Sequence, residues 1–256
     1  MILPCLLSFV IGLFIGSFLN VCIYRIPEGK SVIWPPSHCP YCGERIKPYD
    51  NIPVISYLLL KGKCRSCGER ISYRYPAVEL LTGVLTAATV CKFGVSLSSL
   101  YYLLLVYYLI VISFIDLKTM EVPVRFSYGA LLSGLLLSFF VPQHSFKEAV
   151  FGASFGAGVI LFIIETYYVF TGKEGMGYGD ANIMAVVGAF LGWKKVLLTL
   201  FLASLVGAAT GVTLILLKKG EREKPIPFGP FIAAGALLSL YFGDRLINWY
   251  LGGLGL

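Results

Sequence analysis

The sequence predicts an all-α polytopic membrane protein: about eight transmembrane helices, with a cytoplasmic zinc-binding loop carrying four cysteines between the first two. Three observations predict it. Hydrophobic residues make up 57% of the 256 and charged ones only 14%, too apolar for a water-soluble domain, and the mean hydropathy is +0.79. The charges cluster between apolar runs close to the ~20 residues that cross a bilayer. Two C-x-x-C pairs share the one long polar stretch, residues 25–75.

The apolar runs fall at 2–24, 76–95, 97–115, 126–142, 148–171, 181–193, 196–217 and 228–250. The sixth is short, and Gly192-Trp193 with Lys194-Lys195 is its only break before the seventh. Seven spans result if 181–217 bends through the membrane as one element. Orientation follows from lysine and arginine, which collect in cytoplasmic loops. With both termini outside, loop 25–75 holds Arg25, Lys30, Arg45, Lys47, Lys61, Lys63, Arg65, Arg70 and Arg74 inside. The other inner loops add Lys118, Arg125, Lys173, Lys218, Lys219, Arg222 and Lys224. Sixteen basic residues then lie inside against four outside (Lys92, Lys147, Lys194 and Lys195), and Arg245 falls within the last span.

The expected division is a first helix, 1–24, a cytoplasmic loop, 25–75, and a multi-helix membrane part, 76–256. No cleavable signal peptide is expected, because no basic stretch precedes the first run and no small-residue cleavage site precedes Arg25. The net charge of +7 points to anionic lipid headgroups. It does not point to nucleic acid, since the bases flank spans and form no stripe interleaved with aromatics.

Small residues at Gly152-x-x-x-Gly156 and Gly207-x-x-x-Gly211 have the spacing that lets membrane helices pack closely. Glu165 and the pair Asp244-Arg245 lie inside apolar runs and are expected to face the bundle interior as structural pairs. Tyr101-Tyr102 and Tyr167-Tyr168, near span ends, read as interfacial anchors.

Cys5, Cys22 and Cys91 lie in apolar runs and read as small core hydrophobes. Cys39, Cys42, Cys64 and Cys67 form a set of two knuckles with 21 residues between them, near the usual zinc-ribbon interval. Each knuckle continues as Gly-Glu-Arg-Ile, at 43–46 and 68–71, so the two turns repeat. Four thiolates close the coordination sphere of a structural zinc ion. Disulfides are the alternative, disfavoured in a reducing cytoplasm. His38 beside the first knuckle reads as a surface histidine.

The chemistry centres on two aspartates. Asp116 ends the run 97–115, and Asp180 follows Gly177-Tyr178-Gly179 in the turn that begins at Glu174. Taken alone, Asp116 reads as a solvated loop charge and Asp180 as the cap of a helix starting near Ala181. The topology puts both on the cytoplasmic side. Two neighbouring carboxylates titrate as a pair, so one holds a proton as acid while the other acts as base. Such a pair suits activation of water against a peptide carbonyl. The alternative is an ion-coupled transporter using the same carboxylates. A serine or cysteine protease lacks its base, because the only histidines are His38 and His144.

Across nearly its whole length the chain resembles the type IV prepilin peptidase family, membrane aspartyl proteases of the G-x-G-D type. The resemblance rests on 16–25 (GSFLNVCIYR), 51–57 (NIPVISY), 71–80 (ISYRYPAVEL), Asp116, the Gly177–Asp180 turn and 227–231 (PFGPF). It implies an inner-membrane enzyme with Asp116 and Asp180 catalytic and facing the cytoplasm. That enzyme cleaves the basic leader of type IV prepilins or secretion pseudopilins and methylates the new N-terminus from S-adenosylmethionine. Residues 25–75 hold no glycine-rich fingerprint for that donor. A leader peptidase without methyl transfer is the nearest variant, and the four cysteines favour the bifunctional form. Two positions depart from the family pattern: Val124 replaces an Asp or Asn, and Asn182 a lysine.

Overall fold

The computed structural model describes residues 2–142, 144–173, 175–217 and 226–253. Glu174, at the head of the second aspartate's turn, and Lys218, Lys219, Arg222 and Lys224 lie outside the described residues. Every apolar run forms a helix, and no strand occurs among the described residues. The helices are α1 (Ile2–Arg25), α2 (Ile55–Leu59), α3 (Arg74–Phe93), α4 (Leu97–Thr119) and α5 (Val124–Leu137), then α6 (Phe146–Thr171), α7 (Tyr178–Leu191), α8 (Trp193–Leu216) and α9 (Gly229–Gly253).

α1, α3, α4, α6, α8 and α9 are long and apolar enough to cross a membrane, while α5 and α7 are shorter apolar helices. The protein is a multi-pass membrane protein, and the eight expected spans correspond to these six long and two short helices. Two boundaries differ from the apolar runs. α4 continues past Ile115 to Thr119, so Asp116 stands within its last turn. Met120, at φ +55°, ends that helix and donates its N–H to the Asp116 carbonyl. α7 begins at Tyr178 with Gly177 as its N-cap, so Asp180 is in the first turn and is not the cap.

The chain forms two compact units, Met1–Val111 and Ile112–Leu256. In the first, α1 and α3 pack antiparallel. Glycine makes the approach possible: a Cβ on Gly12 would lie 2.6 Å from Thr86 Oγ1, and one on Gly16 2.7 Å from Glu79 Cα. Such close packing is what associates helices where lipid supplies no hydrophobic drive. Thr82, Thr86 and Thr89 return their hydroxyls to carbonyls four residues back at 2.6–2.8 Å, so none needs water. Leu6, Val10, Phe14 and Phe18 on the other face of α1 are exposed, the side that lipid covers.

Cys5, near the start of α1, and Cys91, near the end of α3, are joined by a disulfide. The expectation of two separate core hydrophobes is corrected, because the hairpin brings both to one place at its far end. Cys22 is a buried free thiol, as expected. Tyr101 and Tyr102 are also corrected: they are buried and meet edge to face at 5.4 Å instead of anchoring an interface.

The second unit is built around α7, on which α5, α6, α8 and α9 all pack. From Ile183 to Leu191 every residue of α7 is buried, and a helix apolar all round belongs in such a position. Gly152 and Gly156 of α6 lie against the backbone carbonyls of Gly188 and Met184, so that spacing is the α6–α7 crossing. Among the described residues nothing lies within 4 Å of a Cβ on Gly211, so they form no such crossing at the second spacing. Thr199 and Ser239 hydrogen-bond at 3.1 Å between α8 and α9. Asp244 and Arg245 are exposed and do not face the bundle interior, and Asp244 pairs with Lys195 at 3.0 Å instead of with Arg245. Glu165 is exposed on α6 and does not face the bundle interior, a further correction.

Candidate functional site

Both aspartates belong to the second unit, and both are buried although they are ionisable: Asp116 is 5% and Asp180 7% exposed. Asp116 is fixed by a distant helix. Its Oδ2 accepts the N–H of Gly229, the first residue of α9, at 2.9 Å. The first turn of a helix presents unpaired N–H groups and positive partial charge, so a carboxylate is a natural partner. Gly229 must be glycine there, since a Cβ would lie 2.6 Å from that same oxygen and 3.1 Å from Ile183 Cδ1. In the sequence PFGPF (227–231) is only a point of resemblance; the contact to Asp116 gives it a physical role.

Asp180 is presented by the glycine turn. Its N–H bonds the Gly177 carbonyl at 3.0 Å, and Gly177 leaves open space beside the Asp180 carboxylate. A Cβ on Gly179 would lie 2.6 Å from Val122 Cγ2, so the turn packs directly on the short loop that follows Asp116. The loop after one aspartate thus supports the turn that carries the other, and the two carboxylates interact electrostatically. Among the described residues no lysine or arginine forms an ion pair with either. Val124 opens α5 and is exposed; Asn182 is half-buried on α7.

In the first unit the four loop cysteines converge. All four Sγ atoms lie within 4.8 Å of one another, a cluster that could hold a metal ion. The two knuckles are built alike. Cys39 donates its N–H to the Glu44 carbonyl and Gly43 to Cys39, while Cys64 donates to Glu69 and Gly68 to Cys64, all at 2.8–2.9 Å. Gly43 and Gly68 take φ +71° and +73°, which is why glycine follows each knuckle. Backbone hydrogen bonds from Cys67 and Ser66 hold the Cys64 thiol down to about 7, while Cys67, despite a lowering backbone bond at Glu69, is pushed up to about 12 by desolvation and the neighbouring thiols.

The loop is tied to the helices by polar contacts. Arg25 donates to the carbonyls of Ser31 and Pro35 at 3.0 and 2.7 Å. Asp50 and Arg65 form a two-pronged pair. Glu79 of α3 accepts the N–H of Val54 at 2.7 Å, and Val54 sits at φ +62°, which a β-branched residue adopts only when held.

Comparison with known proteins decides the family. The prepilin leader peptidase/N-methyltransferase of Aeromonas hydrophila is 40% identical over 269 residues, covering 96% of this chain and 93% of the relative. This chain belongs to the type IV leader peptidase family. That family matches residues 103–212, and the Bacterial Peptidase A24 N-terminal domain matches residues 10–93. The family relatives of the same name in Pseudomonas aeruginosa and Burkholderia pseudomallei strain K96243 are 38% and 34% identical. They cover 96% and 92% of this chain, and 93% and 84% of their own. No solved structure matches the chain.

Proposed function

We propose that this protein is a bifunctional enzyme of the bacterial inner membrane, with its active site facing the cytoplasm. It removes the leader of type IV prepilins or secretion pseudopilins and methylates the new N-terminus. The names of its relatives support both activities. The observation that carries the peptidase reading is the buried pair of Asp116 and Asp180, held by Gly229 and by the glycine turn. Two carboxylates in one water-poor site share a proton more readily than both ionise. The ionised partner takes a proton from the attacking water while the protonated one polarises the scissile carbonyl. Gly177 leaves backbone space in which an extended peptide can approach, whereas the space at Gly179 is taken by Val122.

Cys39, Cys42, Cys64 and Cys67 hold a structural zinc ion in this reading. Sulfurs ~2.3 Å from a tetrahedral zinc stand ~3.8 Å apart, and Cys39 and Cys67 are 3.9 Å apart. The ion organises the loop and takes no part in bond cleavage. Residues 25–75 serve methyl transfer, with S-adenosylmethionine as the donor, between the first helix, 1–24, and the peptidase part, 76–256. The orientation rests on the excess of basic residues in the inner loops and on the cysteines. The disulfide of Cys5 and Cys91 suits an oxidising compartment, and the four-thiol loop at the opposite end of α1 and α3 suits a reducing one.

The test is co-expression with a prepilin, read by mass spectrometry. The wild type removes the leader and adds one methyl group. Asp116→Asn and Asp180→Asn each lower cleavage at least ~1,000-fold, as expected for loss of the acid or base, while the protein stays folded. Cleavage that survives either change overturns the two-aspartate mechanism.

A further inference from the structure

Glu165 stands exposed within the membrane-crossing length of α6, whose other exposed carboxylate, Glu148, lies in the first turn and closes a capping box with Ser145. It stands six residues before Thr171, ~9 Å from the helix end at 1.5 Å per residue. A carboxylate there is unfavourable, because lipid excludes charge. Yet the side chain is engaged. Its Oε1 accepts the hydroxyl of Tyr178 at 2.9 Å, and Tyr178 stands two residues before Asp180 in the glycine turn. Gly175, three residues before Tyr178, lies against the end of α6, where a Cβ on it would be 2.6 Å from the Tyr167 ring. Among the described residues no lysine or arginine pairs with Glu165.

An acidic oxygen, oriented by a phenol and open on its other side, is completed by a cation. The exposed ring face of Tyr178 adds attraction of the same sign. We propose that Glu165 and Tyr178 form a cation-binding subsite that holds a lysine or arginine side chain of the peptide substrate. It lies on the approach to Asp180, and it rests on the reading of Asp116 and Asp180 as the cleaving pair. The subsite positions the peptide and takes no part in bond breaking. A second source of the same chemistry is the ammonium group of an ethanolamine lipid.

The experiment uses the full chain in bilayers of defined composition. One prepilin keeps its basic residues before the cleavage site; a second has them replaced by glutamine. Glu165→Gln raises KM for the basic substrate about three- to fivefold, the size of an exposed ion pair, and leaves kcat unchanged. On the neutral substrate the variant and the wild type have the same KM. Glu165→Lys reverses the preference, favouring a substrate whose leader carries acidic residues. Tyr178→Phe gives a smaller rise in KM than Glu165→Gln.

An equal rise for both substrates, or no rise for either, overturns the subsite. So does an effect present only in ethanolamine lipid and independent of substrate charge. A wild type that cleaves neither prepilin refutes the proposed function and the subsite with it. A wild type that cleaves both, with no charge dependence, refutes the subsite alone.

Discussion

The N–H of Gly229 reaches across 113 residues of sequence to Oδ2 of Asp116, closing a 2.9 Å hydrogen bond between the start of one helix and the end of another. The bond fixes one carboxylate oxygen. A Cβ at position 229 would lie 2.6 Å from that oxygen and 3.1 Å from Ile183, so neither the carboxylate nor the packed core can give way cheaply. Gly229→Ala is therefore expected to lower leader cleavage ~100-fold or more, since sub-ångström displacement of a reacting group has such effects. Methyl transfer, assayed on a pre-cleaved pilin, is expected to be unaffected. Normal cleavage by this variant would mean that Asp116 needs no such anchor.

Much of this arrangement could be read from the residues alone, and the exceptions share a cause. Apolar runs located the helices because lipid demands them. Their ends were misplaced where a carboxylate ended the run but not the backbone hydrogen bonding, as at Asp116 and Asp180. Hydropathy also carries no information on the facing of a helix that is apolar nearly all round. Glu165 was thus expected inward and stands outward, and Tyr101 was expected at an interface and is buried. Pairings between helices leave no local mark, so in the sequence Cys5 and Cys91 read as ordinary small residues and Asp244 as matched to its neighbour Arg245. The two C-x-x-C knuckles were legible because each is a local structure with its own glycine.

The loop of residues 25–75 has few buried apolar side chains and needs a staple. Elemental analysis of the purified protein is expected to find one zinc per chain, and Cys39→Ser or Cys67→Ser to lower it at least tenfold. Stripping the metal with a chelator is expected to open the loop to limited proteolysis and to abolish methylation. Unchanged protease resistance after complete metal loss would show that the loop holds itself together.

His144 supplies a pH dependence away from the active site. It lies in the loop before α6, 6% exposed, with Nε2 2.9 Å from the Ala189 carbonyl. Burial, with Lys195 nearby, pushes its imidazole below the ordinary 6.5, outweighing the Ala189 bond and the nearby carboxylate of Glu148. The unfolded chain therefore takes up this proton first as pH falls. The stability tied to neutral His144 is full above 6.5 and is lost as pH drops through that value towards the folded one. Melting in detergent is expected to shift down by a few degrees between neutral and mildly acidic pH. His144→Gln, which keeps a donor but cannot titrate there, is expected to flatten that slope. An identical slope in the variant would assign the effect to other groups.

The cysteines also report which face of the membrane each end of α1 and α3 occupies. Cys5 and Cys91 are 86 residues apart and joined, whereas Cys39, Cys42, Cys64 and Cys67 are free thiols. A thiol reagent that does not cross membranes, applied to cells with a permeabilised outer envelope, is expected to leave all of them unlabelled. After an equally impermeant reductant, it is expected to label Cys5 and Cys91 alone. Cys5→Ser removes a link that closes a long loop, so the unfolded chain gains freedom and stability falls by ~2–4 kcal/mol. Because the link joins the helix ends remote from the loop, zinc content is expected to be unchanged in that variant. Labelling of the Cys39 set from outside would invert the topology and place Asp116 and Asp180 on the wrong face for a leader held in the cytoplasm.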